Sequence, residues 1–310
     1  MLIGISLIFI FSSLNSDQLY KYSIILFFVS LISLFLVPFI GVEVKGSKRW
    51  IDLFFLPRFQ PIEVLKPFLI IILATIFCDI RTNILFKYLI SIFLISFISL
   101  LLIAQPDIGQ TLLVIFCWAV LIFTSGINIY ILLAIFFAGA SLLTYLIIYV
   151  PRFDYIQGRI FSFFNRETGT HNFQSDKAIE SITSGGFFGK GIGEGVLKNR
   201  VPEAHTDYII SVISEEFGVV AIMLILLLFL ILIYMVFKKI SFETNDKVKL
   251  ILIGSISLIL MQATIHVGVN IRLFPTTGMT LPFLSYGGSS IISTSILAGI
   301  ILNLTKRKIT

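Results

Sequence analysis

The chain has 310 residues, of which 57% are hydrophobic, and its mean hydropathy is +1.02. These values lie far outside the range of soluble globular domains, so they exclude that class and indicate an integral membrane protein. The formal net charge is +6, from 23 Lys and Arg against 17 Asp and Glu. For a membrane protein of this kind we expect no nucleic-acid partner.

Eight apolar stretches are long enough to cross about 30 Å of hydrocarbon as helices. A ninth run at 2–14 is shorter than a full span and lacks the basic start of a signal peptide. We therefore predict an all-α integral membrane protein, a polytopic helical bundle of about eight to nine spans in a single domain over 1–310. The eight stretches lie near 22–41, 61–78, 88–105, 110–125, 130–150, 208–237, 250–271 and 288–304.

Lys and Arg in short loops mark the cytoplasmic face of a membrane protein. When the predicted spans alternate in direction, one face collects Lys21, Arg81, Lys87 and the basic clusters at 238–249 and 306–308. We assign that face to the cytoplasm. The external face then carries the 42–60 loop, the turn at 105–107, a large loop at 151–207 and the 272–288 loop.

The external 42–60 loop is rich in cations, namely Lys45, Lys48, Arg49 and Arg58. One interpretation is that short external loops tolerate a few positive charges without any function. The other is that these side chains bind an anionic ligand at the outer membrane face. The sequence leaves both interpretations open.

Glu63 and Lys66 are charged residues inside a predicted span, where an ionised group is costly unless it is paired or wetted. They lie three residues apart on one helix face, so they can neutralise each other. Alternatively, with Gln60 at the outer end of the same helix, they line a polar cavity that opens outward.

A cluster of polar residues, Glu203, His205, Thr206 and Asp207, precedes the span that begins near 208. Thr206 or Asp207 suits the N-cap of that helix, which is one interpretation of the cluster. The other is that the Asp207 carboxylate acts on a ligand at the outer membrane face. The three histidines of the chain are too dispersed for a metal-binding motif of recognised spacing.

Five distinctive blocks occur along nearly the whole chain. They read KGSKRWIDL with QPIEVLK at 45–66, AQPDIGQ at 104–110, SGGFFGKGIGEG at 184–195, VPEAHTDYIISVISEEFG at 201–218 and FPTTGMTLPFLSYGGSS at 274–290. In this order the blocks resemble the SEDS family (shape, elongation, division and sporulation), whose members polymerise peptidoglycan glycan strands. The last block is more similar to the division members than to the elongation members.

The resemblance implies a ten-span fold in the bacterial cytoplasmic (inner) membrane, with both termini inside and an active site facing the periplasm or exterior. It also implies a large external loop between the seventh and eighth spans, here 151–207. Aligning the KGSKRW block makes 22–41 the third span and 2–14 the end of the second. We therefore expect a bundle that is shortened at its N-terminus relative to the family.

The family's catalytic aspartate carries over onto Asp207, in the PEAHTD part of its block. Members join a strand held on a lipid diphosphate to a sugar hydroxyl of another lipid II with inversion, so one carboxylate suffices as general base. The departing diphosphate needs cations, for which Lys48 and Arg49 are candidates, together with a divalent cation such as Mg²⁺ or Mn²⁺. The other candidate substrate-binding residues are Trp50, Gln60, Glu63, Lys66, Glu203 and His205.

The expected partners are lipid II, the lipid-linked nascent glycan, a class B penicillin-binding protein acting as transpeptidase, and other divisome proteins. Two further functions stay open. A lipid II flippase or secondary transporter would also bind an anionic lipid, although ion coupling favours carboxylates near the middle of the membrane. A non-catalytic divisome scaffold would tolerate the loss of Asp207.

Overall fold

The computed structural model describes residues 2–44, 47–53, 56–150, 153–164 and 170–306, and most of them are helical. Each of the eight predicted spans coincides with a helix. The helices are α1 (Leu2–Ser13), α2 (Ser16–Ile40), α3 (Pro61–Cys78), α4 (Ile84–Ala104), α5 (Ile108–Thr124), α6 (Ile129–Tyr149), α7 (Asp154–Phe164), α8 (Thr170–Gly185), α9 (Ile209–Phe242), α10 (Asp246–Asn270) and α11 (Gly288–Thr305).

Seven helices among the described residues are long and apolar enough to cross a membrane: α2, α3, α4, α6, α9, α10 and α11. Helix α5 has 17 residues and α1 has 12, so both fall short of that length. Many large apolar side chains on these helices are exposed, as expected where lipid replaces water as the solvent. The chain is a multi-pass helical membrane protein, which confirms the predicted fold class.

Short polar side chains define several helix starts. Asn83 and Asn128 each accept a hydrogen bond from the backbone N–H two residues later, at the starts of α4 and α6. Asp107 accepts one from Gln110 at the start of α5. Because the first backbone N–H groups of a helix have no partner within it, these caps stabilise the ends of the spans.

The 42–60 segment, predicted as a loop, contains a three-stranded antiparallel sheet. Its strands are β1 (Val42–Val44), β2 (Ser47–Leu53) and β3 (Leu56–Phe59), in that spatial order. Val42 faces Trp50 across β1 and β2, and Ile51 faces Phe59 across β2 and β3. β-branched and aromatic residues favour this pairing, and their presence in the segment was a signal for strands.

The chain divides into two compact units, and the assignment of 1–310 to one domain stays a prediction. The first unit comprises Met1–Ile127, Ile233–Leu260 and Gly287–Thr310. Its centre is α3, which is mostly buried and packs against α2, α4, α5 and α11. Helix α1 packs along α11, where a side chain at Gly299 would come within 2.7 Å of Phe11.

The second unit comprises Asn128–Leu232 and Met261–Tyr286. Helix α6, every residue of which is described, buries none of its side chains, as suits a lipid-facing span. The predicted external loop continues through α7 and α8, then a 3₁₀ turn at Leu197–Arg200. These elements pack in sequence, α6 on α7, α7 on α8 and α8 on the 3₁₀ turn.

Helix α9 is interrupted at Gly218, whose φ of 76° and ψ of −178° suit glycine almost exclusively. Beside this break the glycine-rich segment at 185–195 runs against the start of α9, and the backbone N–H of Lys190 donates to the Glu215 carbonyl at 2.9 Å. A side chain at Gly189 would overlap the Glu216 carbonyl. The glycines therefore permit tight turns and close backbone approach.

Candidate active site

Asp207 ends a tight turn that leads into α9. The backbone N–H groups of the three residues from Thr206 to Tyr208 all donate to the carbonyl oxygen of Glu203, at 3.1–3.3 Å. Glu203 itself has a φ of 57°, a left-handed conformation that is uncommon for a residue with a side chain. Strained backbone of this kind persists where its surroundings over-determine it, and it is enriched at functional sites.

Groups distant in sequence hold this turn in place from outside. The three carbonyl oxygens at 205–207 each accept one hydrogen bond from the α10 end or from the loop that follows it. The bonds run from the backbone N–H of Tyr286 to His205 (2.9 Å), from Ser285 Oγ to Thr206 (2.6 Å) and from Asn270 Nδ2 to Asp207 (3.1 Å). Three separate anchors fix both the position and the orientation of the peptide groups that carry the aspartate.

The residues that supply these anchors are themselves fixed. Asn270 Nδ2 also donates to the carbonyl of His266 at 2.8 Å, and Asn270 is fully buried. The ring of His266 is 2.7 Å from the Met279 carbonyl through Nδ1, which must carry the proton because a carbonyl only accepts. Gln262 Nε2 donates to the Thr280 carbonyl at 3.1 Å. Hydrogen bonds therefore join the C-terminal part of α10 to the loop after it.

The Asp207 side chain is partly exposed and lies beside a glycine. A side chain at Gly278 would come within 3.5 Å of Asp207 Oδ2, and Gly278 has a φ of 69°. Its lack of a Cβ keeps space open next to the carboxylate. Glu203 and His205, the other predicted residues of this block, have exposed side chains in the same turn.

Four other predicted site residues lie in a second cluster, in the first compact unit, together with Asp107 and Gln110. We call this cluster the α3–α5 polar network, and its four predicted members are Arg49, Gln60, Glu63 and Lys66. Lys66 Nζ lies 2.9 Å from Glu63 Oε2 and 3.0 Å from Gln110 Oε1. Gln110 Nε2 donates to Glu63 Oε1 at 2.6 Å, which closes a ring of three buried side chains. The predicted neutralisation of Glu63 by Lys66 is thus present in the fold.

Asp107 links this ring to Gln60 and Arg49. Gln60 Nε2 donates to Asp107 Oδ2 at 2.9 Å, and Arg49 Nη1 is 3.7 Å from Asp107 Oδ1. The guanidinium of Arg49 also donates to the backbone carbonyls of Gln105, at 3.1 Å, and Pro106. Burial raises the pKa of Asp107, while the neighbouring Arg49 cation acts in the opposite direction. Arg49 therefore braces the turn before α5.

Lys48 and Arg58, the other described basic residues of the 42–60 segment, are not part of the α3–α5 polar network. Lys48 is exposed and faces Glu43 across the sheet, and Trp50 is partly buried opposite Val42. Arg58 makes an exposed ion pair with Asp52 at 3.2 Å. Lys45 lies outside the described residues.

The Glu215 and Glu216 carboxylates organise the external segment. Glu215 is fully buried and accepts hydrogen bonds from the backbone N–H groups of Leu197 and Lys198, at 2.9 and 2.6 Å, and from Ser181 Oγ. Glu216 pairs with the Lys198 ammonium. These contacts give both carboxylates a structural task, holding the chain between α8 and the turn at 201–207.

Several residues of these sites were not predicted from the sequence as site residues. The distinctive sequence blocks contain Asp107, Gln110 and Ser285. Their place in these blocks was a signal that could have marked them as candidate site residues. Asn270 carried a weaker one, a polar amide at the end of an apolar span. Among the described residues, no group of three or more His, Cys, Asp or Glu side chains is arranged to hold a metal ion.

Comparisons with known proteins place these features in a family. The model of the FtsW, RodA and SpoVE family, described as cell cycle protein, matches residues 1–309. The probable peptidoglycan glycosyltransferase FtsW of Caulobacter vibrioides is 32% identical over 309 residues, covering 97% of this chain and 76% of that protein.

Two solved structures share the fold. One is a chain of a peptidoglycan synthase complex that coordinates polymerization and crosslinking, with a TM-score of 0.81 and 27% identity; the match covers 98% of this chain and 86% of that one. The other is the rod shape determining protein RodA of Thermus thermophilus, with a TM-score of 0.71 and 29% identity. That match covers 98% of this chain and 84% of RodA.

Proposed function

Because the chain belongs to the FtsW, RodA and SpoVE family, we propose that it is a peptidoglycan glycosyltransferase that polymerises lipid II into glycan strands during cell division. The match extends over residues 1–309, and several relatives bear the name of this activity. The observation that carries the proposal is the anchored turn of Asp207, which presents one partly exposed carboxylate on a fixed backbone.

Asp207 acts in this mechanism as the general base. Its carboxylate accepts the proton of the acceptor sugar hydroxyl while the hydroxyl oxygen forms a bond to the anomeric carbon of the donor. The bond from that carbon to the diphosphate breaks at the same time, and its electron pair leaves with the phosphate oxygen. Attack from the face opposite the leaving group inverts the anomeric configuration. The hydrogen bonds at 205–207 support this role because general-base catalysis requires fixed geometry.

The departing diphosphate requires positive charge, which we assign to Lys48 and Arg49. The exposed ammonium of Lys48 is available to a ligand, whereas Arg49 also braces the turn before α5. Trp50, Glu203 and His205 are proposed to contact the substrate. The side chains of Gln60, Glu63 and Lys66 contact other members of the α3–α5 polar network. These contacts support a structural role for the three residues in addition to any role in substrate binding.

A divalent cation, Mg²⁺ or Mn²⁺, would be held here by the Asp207 carboxylate only together with the substrate. Mg²⁺ is commonly held by one or two carboxylates together with substrate phosphates and water, and Asp207 supplies one carboxylate. When bound there, the ion would add charge stabilisation at the diphosphate.

We place the active site at the external face of the bacterial cytoplasmic membrane, where the lipid-linked nascent glycan and lipid II present their sugars. The charge distribution of the short loops supports this orientation. The similarity to a chain of a synthase complex supports a class B penicillin-binding protein as partner, alongside other divisome proteins.

The test is the substitution Asp207→Asn, which preserves size and hydrogen bonding but removes the base. We expect glycan polymerisation to fall by about 10²–10⁴-fold, the contribution typical of a general base. The assay uses purified protein with its cognate transpeptidase and labelled lipid II in detergent, without a membrane gradient and in the presence of moenomycin. Asp154→Asn, at another exposed external aspartate, is the matched control and should retain activity.

Two results would contradict the proposal. Polymer formation by Asp207→Asn at near the parental rate would exclude the aspartate as general base. The second result is gradient-dependent movement of lipid II across the membrane of vesicles by a protein preparation that forms no polymer. That result would indicate a flippase.

A further inference from the structure

A cleft of about 620 Å³ lies within the first compact unit, at the membrane face that we assign to the cytoplasm. It opens where α3 and α5 end and where α4 and α10 begin. Its apolar lining includes Phe77, Leu250 and Ile253, and its polar lining includes three lysines. The volume falls in the range of about 300–1,000 Å³ that is typical of small-molecule sites. None of the residues that line this cleft is among those assigned to glycan polymerisation.

The cleft carries an excess of positive charge. Lys87, Lys247 and Lys249 line it together with one acidic residue, Asp246. Asp246 Oδ1 lies 3.0 Å from Lys249 Nζ, so that pair is internally neutralised. Within the described part of the chain, neither Lys87 nor Lys247 has a carboxylate within ion-pair distance. Two cations therefore face the cleft without a compensating anion.

Both lysines are held in defined positions. Lys247 Nζ lies 3.6 Å from the centroid of the Tyr20 ring, a cation–π contact. Lys87 Nζ donates to the carbonyl of Phe77, in the last turn of α3, at 3.1 Å. Each ammonium has three donors, so both retain donors for an anion after these contacts.

We propose that this cleft binds the phosphate headgroup of an anionic glycerophospholipid, with Lys87 and Lys247 as its cationic partners. Lysine binds phosphate as a point charge, and basic pockets between membrane-spanning helices on the cytoplasmic side suit anionic lipid headgroups. The apolar walls and the position at helix ends favour an amphiphile over a free anion, because acyl chains continue into the adjacent hydrocarbon.

The first measurement is affinity, by native mass spectrometry of the full-length protein in detergent titrated with phosphatidylglycerol or phosphatidylcholine. We expect tighter binding of phosphatidylglycerol. Lys247→Gln should weaken that binding by about fivefold, as expected for one lysine near an anionic headgroup, and Lys247→Arg should restore it. Lys238→Gln is the matched control, since Lys238 is exposed, lies on the same face and does not line the cleft.

A second measurement locates the lipid through the two cysteines of the chain. Cys78 lines the cleft and is partly exposed, whereas Cys117 is buried, so a maleimide should modify Cys78 first. We expect phosphatidylglycerol to slow this modification and phosphatidylcholine to have little effect. In Lys247→Gln the same protection should require about fivefold more phosphatidylglycerol.

Three results would overturn the proposal. The first is equal binding and equal protection by the two lipids. The second is an equal loss of binding in Lys238→Gln and Lys247→Gln, which would indicate a general surface potential. The third is full protection of Cys78 by inorganic phosphate alone, which would identify a free-anion site in place of a lipid site. None of these measurements depends on glycan polymerisation.

Discussion

Replacing Lys66 with methionine removes the cation of the buried ring that it forms with Glu63 and Gln110, and leaves Glu63 buried without its ionic partner. The two side chains are 1% and 5% exposed, and Lys66 Nζ is 2.9 Å from Glu63 Oε2. Breaking a buried pair by removing one partner typically costs about 3–5 kcal/mol, because the remaining charge has neither water nor counter-ion. We expect this loss in the free energy of unfolding, and a fall in melting temperature on the order of 10 °C.

Thermal unfolding in detergent can be followed by the fluorescence of Trp50 and Trp118, which both lie in the first compact unit with Lys66. The matched control is Lys239→Met, because Lys239 makes a more exposed i,i+4 pair with a glutamate at 3.5 Å. Such pairs contribute about 1 kcal/mol or less. The control should therefore melt within a few degrees of the parent.

The double variant Lys66→Met, Glu63→Gln removes both charges and should recover most of the lost stability, because a neutral amide costs much less to bury than an ion. A Lys66→Met protein as stable as Lys239→Met would refute the argument that this pair is a buried ionic contact. A double variant as unstable as the single one would show that the loss comes from packing of the lysine stem. Loss of turnover in a stable double variant would support the predicted role of these residues in substrate binding.

Three further predictions concern the two sites and the external segment. Asn270→Ala should lower the turnover number by about tenfold or more with a smaller change in KM, because it frees the peptide that carries the general base; an Asn270→Ala protein with the parental turnover number would contradict this. Arg49→Ala should impair turnover and stability far more than Arg58→Ala, since Arg58 is exposed; equal and small losses would argue against any task for Arg49. Gly189→Ala should reduce the melting temperature much more than Gly193→Ala, as measured from the two melting curves. Both glycines have a positive φ, but only at Gly189 would a side chain meet neighbouring backbone, that of Glu216.

Hydropathy alone determined the helical membrane fold. A span must satisfy its own backbone hydrogen bonds in lipid, so a long apolar stretch such as 61–78 has few alternatives to a helix, and α3 begins and ends at those residues. The sequence also predicted that Glu63 and Lys66 share a helix face, because a spacing of three residues places them on one side. The sheet at 42–60 was not predicted, because its pairing depends on contacts between strands.

Only the tertiary structure decided what surrounds each polar group. Gln110, 44 residues from Lys66, completes the buried ring with Glu63. Asn270 and Ser285 reach the Asp207 turn across 63 and 79 residues of sequence, respectively. Hydrogen bonds of this kind leave no periodic trace along the chain, because they depend on the packing of segments that the local pattern does not relate. The sequence therefore indicated Asp207 as the candidate carboxylate of the site. The three hydrogen bonds that hold its backbone were visible only in the folded structure.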